Sequence, residues 1–454
     1  MKQQYFYMWI ACLVSVGGIL YGYDIGVISG ALLFIKNTIP MTDMQVGIIV
    51  GAVLAGSLIG TFTAGPIGDR YGRKSLIILS SFVFIVGVIF ILYAHSFLML
   101  LYARLLLGIG VGIVSVAVPL YVAEIVPAKS RGKYVTFFQL LLTFGIVLAY
   151  FMDLIFTPSG NWRAMFAIVL IPALLLFIGM LFLPETPRWL IAHQRDQKAR
   201  EILLRIHPTS TIDDDIEIIK NNFCRTKKSW LELFKNHQYQ QTAIAVFVAV
   251  FNQLTGINAF LQYAPLVLKN AGLGSNFVTM LGSFGIGILN FICTMVAMIL
   301  IDRIGRRPLL LIGVLGVFGA EIYLGLTQYL FAHTLMSGVL SLIGLFAFII
   351  FFAIGPGVVV WLTLAELFPT HIRGQGMSFC LFLNSLASTL LATFFLPLSK
   401  MLGMTETYWL FAGLSFVYFI VVYFYLPETK MKSLEDIQQY FHKKNKTLVI
   451  ETQG

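Results

Sequence analysis

A carboxylate, a guanidinium and a group of amides stand out because they fall inside long apolar runs. Asp24 sits in GGILYGYDIGVISG, residues 17–30, with apolar residues continuing on both sides. An unpaired acid at that depth costs roughly 2.5–3.5 kcal/mol on insertion scales. A short helix that brings Asp24 to an interface would avoid the cost, but the apolar flanks argue against it. A buried functional acid with a cationic partner is the expectation. Arg104, in LLYARLLLGIGVGI, is the best partner in the first half, because no further charge occurs until Glu124. Opposite charges buried in one bundle should be neighbours. Burial favours the neutral acid and a guanidinium favours the carboxylate, so such a pair can take up and release a proton.

The amides point to a different ligand. FNQLTGINAFLQYAP, residues 251–265, supplies Asn252, Gln253, Asn258 and Gln262 within one apolar span. A side-chain amide both donates and accepts without charge, which suits an uncharged ligand rich in hydrogen-bonding groups. An aromatic side chain would suit an apolar face of such a ligand. Gly256 is expected to break the helix there. Two other acids fit neither group. Glu321, in VFGAEIYLG, has no evident partner, and Asp153 reads as a wet residue near the outer end of its span.

These residues need elements that hold them. The 454-residue chain is 58% hydrophobic and 11% charged, whereas a soluble chain carries about 25% charged residues. This is the composition of an all-α membrane protein. Twelve spans are expected near 6–30, 44–65, 75–95, 98–123, 134–156, 162–183, 239–268, 277–300, 307–329, 336–365, 375–400 and 406–426. Continuous apolar runs of this length exclude a closed β-barrel. The 40 glycines suit close helix packing in lipid. The first span reads as retained, with no cleavage site after it.

Residues 184–237 are polar and charged, with apolar residues at helical spacing, and read as a short cytoplasmic helical insert. Asp213, Asp214 and Asp215 read as a helix start rather than a metal site. Cys12, Cys224, Cys293 and Cys380 show no metal spacing. Lys and Arg concentrate in alternate loops, so both termini and the insert are expected in the cytoplasm. The net charge of +10 reads as orientation in a bilayer, not as a nucleic-acid signal.

The chain repeats itself. AEIVPAKSRG (123–132) recurs as AELFPTHIRG (365–374), with Glu124 and Glu366, and Arg131 and Arg373, each 242 residues apart. PET at 184–186 recurs at 427–429, and GDRYGRK (68–74) recurs as IDRIGRRP (301–308). Three motifs in one order at nearly one offset mark two six-span halves: residues 1–183 and 238–427, with the linker 184–237 between and a cytoplasmic tail over 428–454. Transporters built by parallel duplication follow this plan. Two sets of charges belong to it: Asp69, Arg70 and Arg73 with Glu124 and Arg131, and Asp302, Arg303 and Arg306 with Glu366 and Arg373. Both sets read as cytoplasmic ion pairs, with the insert, Glu185 and Glu428 nearby.

GDRYGRK, PLYVAEIVPAKSRG, PETPRWL, FNQLTGIN, IDRIGRRP, WLTLAELFPTHIRG and PETK together resemble the sugar porter family of the major facilitator superfamily, over essentially the whole chain. The resemblance is strongest to bacterial sugar–proton symporters of the xylose and arabinose/galactose type. It implies two six-helix bundles with a sugar site between them. It implies that Asp24 is the proton site, with Arg104 as its partner. Facilitators of the family carry Asn at the place of Asp24, so symport is expected rather than uniport. The resemblance adds Gln139, Asn290, Trp361 and Asn384 to the sugar site, and gives the two charge sets the role of a cytoplasmic gate. It implies a monosaccharide, hexose or pentose, and a proton as ligands. A monomer with no cofactor is expected, driven by the proton gradient in the plasma membrane (the bacterial inner membrane).

Asn252, Gln262 and Ser385 depart from the relatives' pattern, which leaves the sugar's identity open. A uniporter or an inositol-type polyol carrier is the alternative within transport. A sugar sensor is disfavoured by the short tail. An enzyme is disfavoured because no nucleophile–base set, metal cluster or nucleotide loop occurs.

Overall fold

Inside a bilayer a continuous segment satisfies its own backbone hydrogen bonds only as a helix. The computed structural model describes residues 2–206, 216, 233–234, 238–332, 334–368 and 372–430, and no strand occurs among them. The chain divides into two compact units, Met1–Thr226 and Lys227–Gly454. Twelve segments among the described residues are long and apolar enough to cross a membrane, six in each unit.

Unit 1 contains α1 (Lys2–Thr38), α2 (Asp43–Tyr71), α3 (Arg73–Leu92), α4 (Phe97–Ile125), α5 (Ala128–Phe156), and a sixth span broken into α6 (Trp162–Ala167) and α7 (Leu170–Phe182). α1 lies along α5, and α2 along α4. Glycine makes the first contact close: a Cβ on Gly22 would strike the Leu142 carbonyl on α5. Small residues at such crossings let backbones approach where lipid supplies no hydrophobic drive. After the last span come two short helices of the insert, α8 (Pro187–Ala192) and α9 (Asp196–Ile206). Trp189, Leu190, Ile191 and Ala199 form their core, and Ile202 packs against it. The acidic run 213–215 lies outside the described residues.

Unit 2 contains a broken first span, α10 (Tyr239–Leu254) with α11 (Ile257–Asn270), then α12 (Asn276–Ile304), α13 (Arg306–Phe331), a second broken span, α14 (Leu335–Ile354) with α15 (Pro356–Leu367), and α16 (Arg373–Leu402) and α17 (Met404–Tyr425). The first break falls at Gly256, whose φ of 80° lies in the left-handed region. The second falls at Gly355-Pro356, where proline opens α15. α13 is the most closely packed helix of the unit, lying against both α14 and α17.

Candidate functional site

The centre of unit 1 is an ion pair. α1 presents Asp24 and α4 presents Arg104, and Arg104 Nη1 donates to Asp24 Oδ1 at 2.7 Å. Arg104 is 0% exposed and Asp24 3%. The Arg104 guanidinium also lies 5.7 Å from the centre of the Phe166 ring, and its Nε reaches the Ile49 carbonyl at 3.5 Å. Both charges are therefore withdrawn from water and held mainly by each other. Removing one partner from such a pair is far more costly than never having built it. Gln139 lies on α5 of the same unit and is half-buried.

The centre of unit 2 is a chain of neutral amides. Asn258, just past the Gly256 break, donates through Nδ2 to Gln253 Oε1 at 2.9 Å and to Ser388 Oγ at 2.6 Å. Gln253 Nε2 donates to Asn384 Oδ1 at 3.1 Å. Asn384 Nδ2 donates to the Ala249 carbonyl at 2.7 Å. The break is what allows this: it places the amides of α10 and α11 together and both against α16. Asn252 and Gln262 are buried nearby in sequence, and their Oδ1 and Oε1 atoms have no hydrogen-bond partner. Asn290 is buried on α12. Trp361 is half-buried on α15 and packs against the apolar core of its unit. A cavity of about 680 Å³ also opens in unit 2, but its lining includes Lys269, Gln328, Lys400 and Glu406 and none of these amides.

The duplicated loops build the same device twice. In unit 1, Arg73 meets Asp69 at 2.9 Å and Glu124 at 3.4 Å. In unit 2, Arg306 meets Asp302 at 3.5 Å and Glu366 at 3.2 Å. Glu366 also accepts from the Thr429 hydroxyl at 2.6 Å. The PET glutamates cap helix starts. Glu185 accepts from the backbone N–H of Arg73, Lys74 and Thr186, and Glu428 from those of Arg306, Arg307 and Lys430. Gly72 and Gly305 make room for them, at φ of 101° and 108°. Burial pushes the Glu185 carboxyl above its ordinary range, and the three backbone donors oppose that shift.

Arg70 and Arg303 do not join these pairs. Both are exposed; Arg70 lies over the Tyr71 ring, and the Arg303 carbonyl accepts from Lys430 Nζ. The side chains of Arg131 and Arg373 lie outside the described residues.

Asp153 corrects the sequence reading. It is 0% exposed rather than wet, and its Oδ2 accepts from the Gly30 N–H at 3.1 Å. A Cβ on Gly30 would sit 2.5 Å from that carboxyl group, so glycine is what admits it. Ser388 was missed among the amides, although it lies one turn after Asn384 on the same helix face. The capping role of Glu185 and Glu428 was also missed; only their proximity to the basic loops was legible.

The chain belongs to the sugar (and other) transporter family, whose pattern matches residues 10–441. It is 35% identical over 430 residues to the D-xylose transporter of Levilactobacillus brevis, covering 93% of each chain. It is 33% identical over 440 residues to the galactose-proton symporter of Escherichia coli (strain K12), covering 96% of this chain and 95% of that one. The inward-open structure of the E. coli xylose transporter XylE superposes with a TM-score of 0.83 at 27% identity, over 96% of this chain and 99% of the other. The fold is the major facilitator fold. The family and its structural neighbours are transporters, not enzymes.

Proposed function

We propose that the chain is a proton-coupled symporter that carries a monosaccharide, a hexose or pentose, into the cell by alternating access. The observation that carries this reading is the buried Asp24–Arg104 pair at the centre of unit 1. A proton arriving from outside binds the Asp24 carboxylate and cancels the charge that holds Arg104. Release to the inside restores the pair. An equilibrium between two states shifts only as far as a ligand distinguishes them, so proton and sugar are coupled by favouring the same state. The names of the galactose-proton symporter and the D-xylose transporter support sugar as the cargo.

In this reading the amide chain of unit 2, with Trp361 as an aromatic plate, receives the sugar. The unpartnered acceptors of Asn252 and Gln262 suit hydroxyl donors from the ring. No cofactor takes part, because the gradient supplies the work. The Arg73 and Arg306 clusters face the cytoplasm with both termini, in the plasma membrane (the bacterial inner membrane), and bias opening there. The protein works as a monomer.

The test is uptake by proteoliposomes, with a panel of pentoses, hexoses and polyols, with and without an imposed proton gradient. The wild type accumulates one or more sugars above the outside concentration. Asp24→Asn loses accumulation and keeps counterflow. Uphill, pH-dependent uptake by Asp24→Asn overturns the coupling assignment, and transport of none of the panel overturns the substrate class.

A further inference from the structure

Three carboxyl groups are buried among the described residues, and they are compensated unequally. Asp24 has a guanidinium at 2.7 Å. Asp153 has one backbone N–H on Oδ2, while its Oδ1 has no hydrogen-bond partner. Glu321 on α13 has least: it is 0% exposed and neither oxygen has a hydrogen-bond partner in good geometry. The hydroxyl of Ser415, on α17, faces it. That hydroxyl is itself buried and otherwise unused.

Among the described residues Glu321 forms no salt bridge. On α13 itself, Arg306 and Arg307 lie in the first turn, about 20 Å away along the axis at 1.5 Å per residue. Arg306 is engaged with Asp302 and Glu366. α14, packed along α13, carries no titratable residue. On α15, Glu366 is held by Arg306 and Thr429, and on α12, Asp302 and Arg303 are exposed. On α17, Glu406 lines the cavity at the far end. Tyr408 stacks on Phe260, and Tyr418 packs toward Phe247 and Phe251. An ionised carboxylate in this setting would carry its desolvation cost alone. A hard metal cation wants about six oxygens, and no cluster of three or more acidic, histidine or cysteine side chains occurs there among the described residues. A proton needs one carboxyl oxygen and leaves an O–H to donate to Ser415 Oγ.

We propose that Glu321 is a proton-binding site of unit 2, whose O–H closes the α13–α17 seam on Ser415. The site is distinct from Asp24 and does not depend on the sugar reading. It does bear on the amide chain. Tyr418, one turn after Ser415, has its ring centre 6.4 Å from Phe247 and 6.3 Å from Phe251 on α10, the helix that carries Asn252 and Gln253. Stripping the proton at alkaline pH therefore loosens the helix that backs those amides.

Infrared difference spectroscopy of the full chain in liposomes tests this directly. Wild type minus Glu321→Gln should show a carboxylic-acid C=O band at neutral pH, shifted in heavy water and replaced by a carboxylate band at strongly alkaline pH. A carboxylate band at neutral pH overturns the proposal. The thermal midpoint of the wild type should fall by several degrees from neutral to alkaline pH, relative to Glu321→Gln. Superimposable profiles overturn it as well. Should Glu321→Gln not fold, Ser415→Ala keeps the acid in place. Its C=O band should move to the position of an acid without a hydrogen bond, and an unmoved band overturns the seam contact.

Discussion

At the centre of unit 1 the buried polar group is an ion pair; at the centre of unit 2 it is a chain of neutral amides ending on the Ala249 carbonyl. At their basic loops the same two units are nearly copies. Each has an arginine between two acids, a glutamate capping the next helix, and a positive-φ glycine beside the cap. Duplication thus explains the loops and not the centres. The difference has a physical meaning. One proton changes the state of a carboxylate–guanidinium pair, whereas amides do not titrate and respond to a partner through hydrogen bonds alone. On the proposed reading, proton handling belongs to one unit and most of the sugar contacts to the other.

The largest effect should come from breaking the charged centre. Arg104→Leu leaves Asp24 buried without its cation, and the expected loss is about 3–5 kcal/mol of stability. Adding Asp24→Asn should recover most of it, since the damage is the orphaned charge and not the missing contact. Thermal midpoints of the wild type, both single variants and the double variant in one detergent complete the cycle. Additive losses would mean that the pair is not coupled and would remove the contrast between the two centres.

The neutral centre should be softer. Asn258→Ala deprives Gln253 Oε1 and Ser388 Oγ of their donor, at an expected cost of about 1–3 kcal/mol. If these amides grip the sugar, its affinity should fall ~10–100-fold. Binding measured at several pH values sharpens the comparison. The loss should be the same at each, whereas substitutions at Asp24 should change the pH dependence itself. A loss at Asn258 that varies with pH would place a titrating group in the amide chain.

Much of this contrast was legible in the sequence, and the reasons differ by residue. Asp24 and Arg104 declared themselves because charges are rare in apolar runs and must find each other there. Asn252, Gln253, Asn258 and Gln262 declared themselves by density within fifteen residues. The spans and the duplicated loops followed from hydropathy and internal repetition. The burial of Asp153 did not, because it depends on a glycine 123 positions away on another helix. Nor did the exposure of Arg70 and Arg303, which carry the same charge as Arg73 and Arg306 but end the helix before Gly72 or Gly305 instead of opening the one after it. Trp361 was assigned to the site by resemblance, and its packing against the apolar core is a property of the fold that no local pattern encodes.

The duplicated loops test the opposite side of the comparison, where the units should behave alike. Gly72→Ala and Gly305→Ala each force a Cβ into the left-handed region and toward the capping carboxylate. Each should lose about 1–2 kcal/mol, read as similar falls in thermal midpoint. A large loss in one and none in the other would show that duplication no longer governs the loops.

The smallest expected effect is a pH slope at the unit 1 cap. Burial raises the Glu185 carboxyl above its ordinary range in the fold, against the pull of Thr186, Lys74 and Arg73 N–H. The folded state therefore holds this proton more tightly than the unfolded chain. The stability it contributes is full below the unfolded value and is lost as pH rises through the folded one. Glu185→Gln keeps an acceptor for the helix start and removes the titration, so its thermal midpoint should change less from mildly acidic to neutral pH than that of the wild type. Glu185→Ala should lose the cap as well, by about 1 kcal/mol, and lie below both at every pH. Identical slopes in the wild type and Glu185→Gln would show that the backbone donors fully offset the burial of this carboxyl.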